Sequence, residues 1–245
     1  MNSLPVEYFA IQDSNGNIDF DSFRSFVDNH VRTWRDVESV CLYCDLDDDK
    51  LRYMQQTYCL PKSVFRKFKD RIDWSGCVEY YKFNDAFVEE MKEYVDWASV
   101  VMLSKKVTED CLRHNVDRIS FMVLSGTRVM SLDFMDEFKE RMCWEEVTRL
   151  WISRCRLTNE FLDRFKGFLD WRLISQYGQL SAEQLERYGD LIDWRTLSVW
   201  RSWTSDELNR FFDMIDWDAI ERIGNFHMTS SFIDRIKMRL IFCHE

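Results

Sequence analysis

Five times this chain spells an apolar residue, an aspartate and a tryptophan: Ile72-Asp73-Trp74, Val95-Asp96-Trp97, Leu169-Asp170-Trp171, Ile192-Asp193-Trp194 and Ile215-Asp216-Trp217. With Phe121, Trp144 and Phe242 as the equivalent aromatics, the anchors follow one another at 23, 24, 23, 27, 23, 23 and 25 residues. Fourteen positions before each anchor stand Leu60, Phe83, Val107, Met130, Leu157, Leu180, Trp203 and Met228, all large and apolar. Nothing in the choice of anchors demands that second coincidence. Self-similarity at a fixed short period is the signature of a repeat architecture, in which each unit is too small to bury its own faces and stacks on its neighbours.

The residue types say which kind of repeat. The second positions are Pro61, Asn84, Thr108, Ser131, Thr158, Ser181, Thr204 and Thr229: seven helix N-cap types, and a proline suited to a first helical turn. Acidic residues follow, including Asp85, Asp110, Asp133, Glu160, Glu183 and Asp206, which complement the helix dipole. Apolar residues then recur at helical spacing, as in Leu157, Phe161, Leu162, Phe165 and Leu169. The spacing predicts a first helix about three turns long. The Asp before Trp is expected to cap a second, shorter helix that Trp opens, its ring packed back on the first. Three residues after the anchors come Cys77, Val100, Leu124, Val147, Ile174, Leu197 and Ile220. Six after come Tyr80, Leu103, Thr127, Leu150, Tyr177, Trp200 and Ile223. Both rows are expected to form the buried stripe of the second helix.

The expected fold is therefore an all-α solenoid of about eight two-helix repeats of 23–27 residues, beginning near 60, 83, 107, 130, 157, 180, 203 and 228. Residues 1–59 fit the frame less well and read as a degenerate helical cap, with Phe20, Phe23 and Phe26 in one helix, Trp34, Val37 and Val40 in a second, and Leu51 and Met54 in a third. Only 7 Gly and 2 Pro among 245 residues agree with an all-helical chain, because sheets and phosphate loops consume turn residues.

The form L-S-x-E-F-L-x-x-F-x-x-x-I-D-W-x-x-I-S-x-Y, matched best by Leu157 to Tyr177, resembles the two-helix tandem repeats of proteins from large DNA viruses and some phages. The resemblance covers roughly 60–242 and is weaker at Phe121, where Ser120 replaces Asp. It implies a viral source and a protein-binding role, and it brings no catalytic residues.

Composition narrows the function further. A formal net charge of −10 disfavours direct nucleic-acid binding, which depends on neutralising phosphates. No apolar run reaches the roughly 18 residues of a membrane span, and no secretory leader is visible, so an intracellular, cytoplasmic location is expected. The eight Cys are then expected to be reduced thiols; the single CxxC at Cys41 and Cys44 lacks the second ligand pair of a zinc site. Asp45, Asp47, Asp48 and Asp49 hint at a calcium loop, but Lys50 and Gln56 stand where Gly and Glu belong, so an acidic helix start is the better reading. No cofactor, metal or catalytic residue is expected, since phosphate-loop and hydrolase motifs are absent and the four His fall in no ligand spacing.

Two surfaces remain. One is a four-residue insertion between Trp144 and Trp171, placed near 151–156, where Trp151 reads as standing outside the repeat frame. Trp151, Arg154 and Arg156, with Arg149, Arg172 and Arg195 on nearby second helices, form a candidate protein-binding ridge, because Trp and Arg dominate interface hot spots. The other is an acidic stripe, Glu89, Glu93, Asp136, Glu140, Glu186 and Asp190, which stacking would set in a row. The first predicts a non-catalytic interaction scaffold for a host or viral protein; the second, an acidic inhibitor that mimics nucleic acid.

Overall fold

A computed structural model of the chain describes residues 6–75, 83–104 and 106–223, with the side chains of residues 6, 7 and 221–223 left aside. The eighth expected repeat, from 228, and Cys77 and Cys243 lie outside these residues. The described residues are all helical, with seventeen α-helices, two short 3-10 turns and no strand. The chain divides into two compact bodies, Met1–Arg141 and Met142–Glu245.

Four helices come first: α1 (Val6–Ala10), α2 (Phe20–His30), α3 (Trp34–Tyr43) and α4 (Asp48–Thr57). The first helices of the repeats are α5 (Lys62–Lys67), α6 (Asp85–Glu90), α8 (Glu109–His114), α10 (Leu132–Glu137), α12 (Asn159–Phe165), α14 (Ala182–Arg187) and α16 (Ser205–Arg210). The second helices are α7 (Trp97–Leu103), α9 (Phe121–Thr127), α11 (Trp144–Arg154), α13 (Trp171–Tyr177), α15 (Trp194–Trp200) and α17 (Trp217–Ile223). Packing follows chain order. In the N-terminal body α2 lies on α4, α3 on α5, and α7 on α9; in the C-terminal body α11 lies on α13, α13 on α15, and α15 on α17. This is the nearest-neighbour stacking of an α-solenoid.

Both ends of the repeat are capped as the residue types require. Asn84, Thr108, Ser131, Thr158, Ser181 and Thr204 each accept the N–H of the third residue onward and so start a first helix. Asp96, Asp170, Asp193 and Asp216 do the same for second helices; Ser120 substitutes at Phe121. Asp47 caps α4 through the Lys50 N–H and pairs with the Lys50 ammonium at 2.8 Å, which accounts for the acidic run there.

The first helices are shorter than predicted, six or seven residues rather than three turns. Each of the six-residue ones ends on a residue near the bridge region, such as Phe68 at φ −114°, ψ 23° and Phe211 at φ −106°, ψ 22°. A tight turn follows, in which that residue's carbonyl accepts from three and often four residues on, as in Arg71 and Ile72 onto Phe68. The turn leaves one carbonyl facing inward, and the tryptophan exists to meet it. The indole N–H of Trp74 donates to Lys69 O at 2.8 Å, Trp97 to Lys92 O at 3.0 Å, Trp171 to Lys166 O at 2.8 Å, Trp194 to Gly189 O at 2.9 Å and Trp217 to Phe212 O at 2.9 Å. Apolar-Asp-Trp is thus a corner: Asp caps the helix ahead and Trp closes the turn behind, but the ring does not in general pack back on its own first helix as expected. Trp144, Trp171 and Trp194 lie against Phe165, Tyr188 and Phe211 of the next repeat, and Trp74 touches both Phe65 behind and Phe83 ahead.

Of the two expected stripes on the second helix, only one is core. Val100, Leu124, Val147, Ile174, Leu197 and Ile220 are buried. Three residues further on, Leu103, Tyr177 and Trp200 are exposed, because a seven-residue helix ends there and has no further turn to cover them. Leu150 is buried at the same register only because α11 runs on to Arg154.

Candidate functional site

Two ladders join neighbouring repeats, and the sequence reading missed the first. Four residues after the anchors 144, 171 and 194 stand Thr148, Ser175 and Ser198, all buried. Each hydroxyl donates to the carbonyl of its own anchor, Trp144, Trp171 or Trp194. Each then accepts the backbone N–H of the next repeat's capping aspartate, Asp170 at 3.2 Å, Asp193 at 2.9 Å and Asp216 at 2.9 Å. The signal was there, a small hydroxyl residue recurring at one register, with Ser125 before them also buried.

The second ladder is ionic and joins first helices: Arg113 to Glu137 at 2.7 Å, Arg187 to Asp163 at 2.6 Å and Arg210 to Glu186 at 2.6 Å, with Arg66 on Glu90; Arg118 on Glu93 joins the turns that follow two of them. The Arg210 guanidinium holds the Glu186 carboxyl below its ordinary range. Much of the acidic stripe is therefore engaged within the fold. Glu93 and Glu186 pair with Arg, Asp136 with Lys139, and Glu89 accepts from the Asn115 amide; Glu140 and Asp190 are exposed.

The insertion lengthens a helix. α11 has eleven residues where the other described second helices have seven, so the extra turn is Trp151 to Arg154. Trp151 opens that turn, outside the frame of the other repeats as expected, but it is a core residue: 9% exposed, its ring lies flat on Phe161 with centroids 3.8 Å apart and planes at 5°. It offers nothing to a partner. Arg149 pairs with Glu145 at 2.8 Å, Arg195 stands 3.9 Å from the capping Asp216, and Arg172 helps hold the Asp193 carboxyl low. Arg154 and Arg156 are exposed, and Arg156 lines a cavity.

That cavity is an open cleft of about 910 Å³ in the C-terminal body. Its walls include Arg156 and Leu157, the end of α13 at Gln176 and Tyr177, the loop Gly178 to Ser181, and the end of α15 at Trp200 with Arg201. Its origin lies in the register seven after the anchor. There Ser104 donates to Phe83 O at 2.9 Å, Arg128 to Val107 O and Arg201 to Leu180 O at 2.8 Å, each side chain reaching back to the carbonyl that opens its own repeat. Gly178 holds that register in the repeat of Trp171 and has no side chain to send. Gln184 of the next repeat reaches the opening carbonyl instead, Leu157 O at 2.7 Å, and the space stays empty. Glycine is required: a Cβ at 178 would stand 2.5 Å from Ile174 O and 3.1 Å from Leu157 Cδ1.

Tyr177 and Trp200 flank this space, 52% and 57% exposed, with ring centroids 5.7 Å apart and planes at 59°. The indole N–H of Trp200 has no protein partner among the described residues, whereas Trp203, three residues on, is buried and donates to Ser198 O at 3.2 Å. No Asp or Glu lines the cleft. The sequence placed Tyr177 and Trp200 in the core; what betrayed them was their position at the last residue of a short helix.

Other features are structural. Cys41 and Cys44 are buried free thiols, and burial pushes them to about 12 and about 11, so neither is a thiolate near neutrality. Cys59 is exposed. Among the described residues no group of three His, Cys, Asp or Glu could hold a metal ion, and no helix is long and apolar enough to cross a membrane. Comparison of the chain with family models, curated proteins and solved structures finds no match.

Proposed function

We propose that this protein is a non-catalytic interaction scaffold that engages a protein partner through the Tyr177–Trp200 cleft. One observation carries the reading. Most tryptophans here spend their indole N–H inside the fold, while Trp200 presents its ring and its N–H to solvent beside an exposed Tyr. Exposed aromatic pairs at a concave, partly polar site are the usual anchors of interfaces. Arg156 is the part of the insertion that serves this site. The resemblance to viral repeats would make the partner a host or viral protein. The acidic-mimic reading is weaker, because carboxylates spent on Arg of neighbouring repeats present less uncompensated charge to a basic partner.

The test is affinity capture from cell lysate with the intact chain beside Tyr177→Ala/Trp200→Ala, at low and high salt. A partner that resists salt and is lost by the variant is expected. A partner kept by the variant and stripped by salt would overturn this reading in favour of the acidic face.

A further inference from the structure

The cleft also has a chemical preference. Two of its available polar groups can only donate, the Arg156 guanidinium and the Trp200 indole N–H, beside the Tyr177 hydroxyl and the Gln176 and Gln179 amides, which donate and accept. Carboxylates, the strongest acceptors, are missing from its walls in a chain of net charge −10. Arg201 is already committed, to Leu180 O and to Glu207 at 2.6 Å, which leaves Arg156, among the described residues, as the cation of the cleft with no ion-pair partner.

A groove with a guanidinium and an indole N–H that can only donate, and no carboxylate in its walls, suits a ligand that presents acceptors to those two groups. An extended segment containing proline has that character, since proline lacks an N–H and polyproline II leaves every carbonyl unsatisfied and pointing outward. Proline rings pack on exposed aromatic faces, and an indole N–H beside those faces meets the freed carbonyls. The adjoining, tilted rings of Tyr177 and Trp200 provide two such faces. Arg156 adds a charge-assisted donor that selects a carboxylate. We infer that the cleft binds an extended, proline-containing peptide segment that carries an acidic residue placed to reach Arg156. This rests on the cleft being the partner site.

The experiment is a selection of displayed random linear peptides on the full chain, with Trp200→Ala as the counter-selection, followed by anisotropy titration of the enriched peptides. Proline with Asp or Glu is expected among the enriched sequences, with affinity about thirtyfold weaker for Trp200→Ala. Trp200→Phe, which keeps a ring but loses the N–H, should weaken binding by about tenfold. Arg156→Glu should turn the preference from acidic to basic. Unchanged thermal melts of the three variants exclude misfolding. Trp200-dependent peptides without proline, or with basic residues, would overturn this inference and leave the cleft as the partner site. Failure to enrich any Trp200-dependent peptide would overturn both.

Discussion

The hydroxyl ladder yields the sharpest test of how the repeats are joined. Ser198 is fully buried, donates to Trp194 O at 2.5 Å and accepts the Asp216 N–H at 2.9 Å. Ser198→Ala removes one oxygen and opens almost no cavity, so hydrophobic terms change little. What it leaves is the Asp216 N–H, half-buried and without its acceptor, at a cost of about 1–3 kcal/mol. The Trp194 carbonyl keeps a backbone donor of its own helix and adds little. A net loss of about 1.5 kcal/mol is then expected, which at a urea slope of about 1–3 kcal/mol per molar lowers the midpoint by roughly 0.5–1.5 M. Repeat arrays unfold with limited cooperativity, so the midpoint alone is not decisive. Hydrogen exchange locates the effect: protection of the Asp216 amide should fall about tenfold, in proportion to the lost free energy, while Asp193, held by Ser175, stays protected. Ser153→Ala, whose hydroxyl is on the surface of α11, is the control and should stay within about 0.5 kcal/mol. An unchanged midpoint together with an unchanged Asp216 exchange rate would refute the ladder as an energetic link between repeats.

Two further outcomes follow from the same geometry. Trp203→Ala should cost about 3–5 kcal/mol in denaturant melts, since that ring is buried against Phe211 and under Arg201, while Trp200→Ala should cost less than half as much; equal losses would contradict their opposite placements. The Asp193 carboxyl is held below its ordinary range, first by the Thr196 hydroxyl and then by the Thr196 N–H. Its folded pKa is depressed, so its contribution is complete above the unfolded value of about 3.9 and lost as pH falls through the folded value; Asp193→Asn should therefore flatten the fall in melting temperature below about pH 4 and change little between pH 5 and 7.

The repeat period, the caps and the role of apolar-Asp-Trp were legible because each depends on residue type at fixed spacing. Helix length was not. Apolar positions such as Phe68 and Ile72 keep a helical rhythm straight through a turn, since both the turn and the helix must face the same core. Periodicity reports burial and cannot see that Phe68 has left the helical region. Trp151 failed for a related reason. It opens the inserted turn of α11, where no other repeat supplies a residue to compare, so spacing gave no hint that it is buried. The residue that ends a seven-residue second helix is equally hard to read from type: Ser104, Arg128 and Arg201 each donate there to the carbonyl that opens their own repeat, and Ser and Arg perform that task equally well.

That task explains why a cleft can open in one repeat and spare the others. Anchors, caps and hydroxyl rungs are bound to the corner geometry, and changing them breaks the stack. The register seven after the anchor is bound only to a hydrogen bond, which another residue can supply from elsewhere. Gln184 does so, and being buried with its amide shared between Leu157 O and Asn159, it is fixed as firmly as the Arg it replaces. Once the bond is met from the neighbour, Gly178 opens space at no cost in unsatisfied backbone, and the exposed Tyr177 and Trp200 at the ends of their second helices gain a cavity to border. In the repeat of Phe121 the same row holds Thr127 beside the half-buried Arg128, and the register is filled. The cleft is thus the local result of moving one hydrogen bond by a repeat, and Gln184→Leu would strand the Leu157 carbonyl before it touched any ligand.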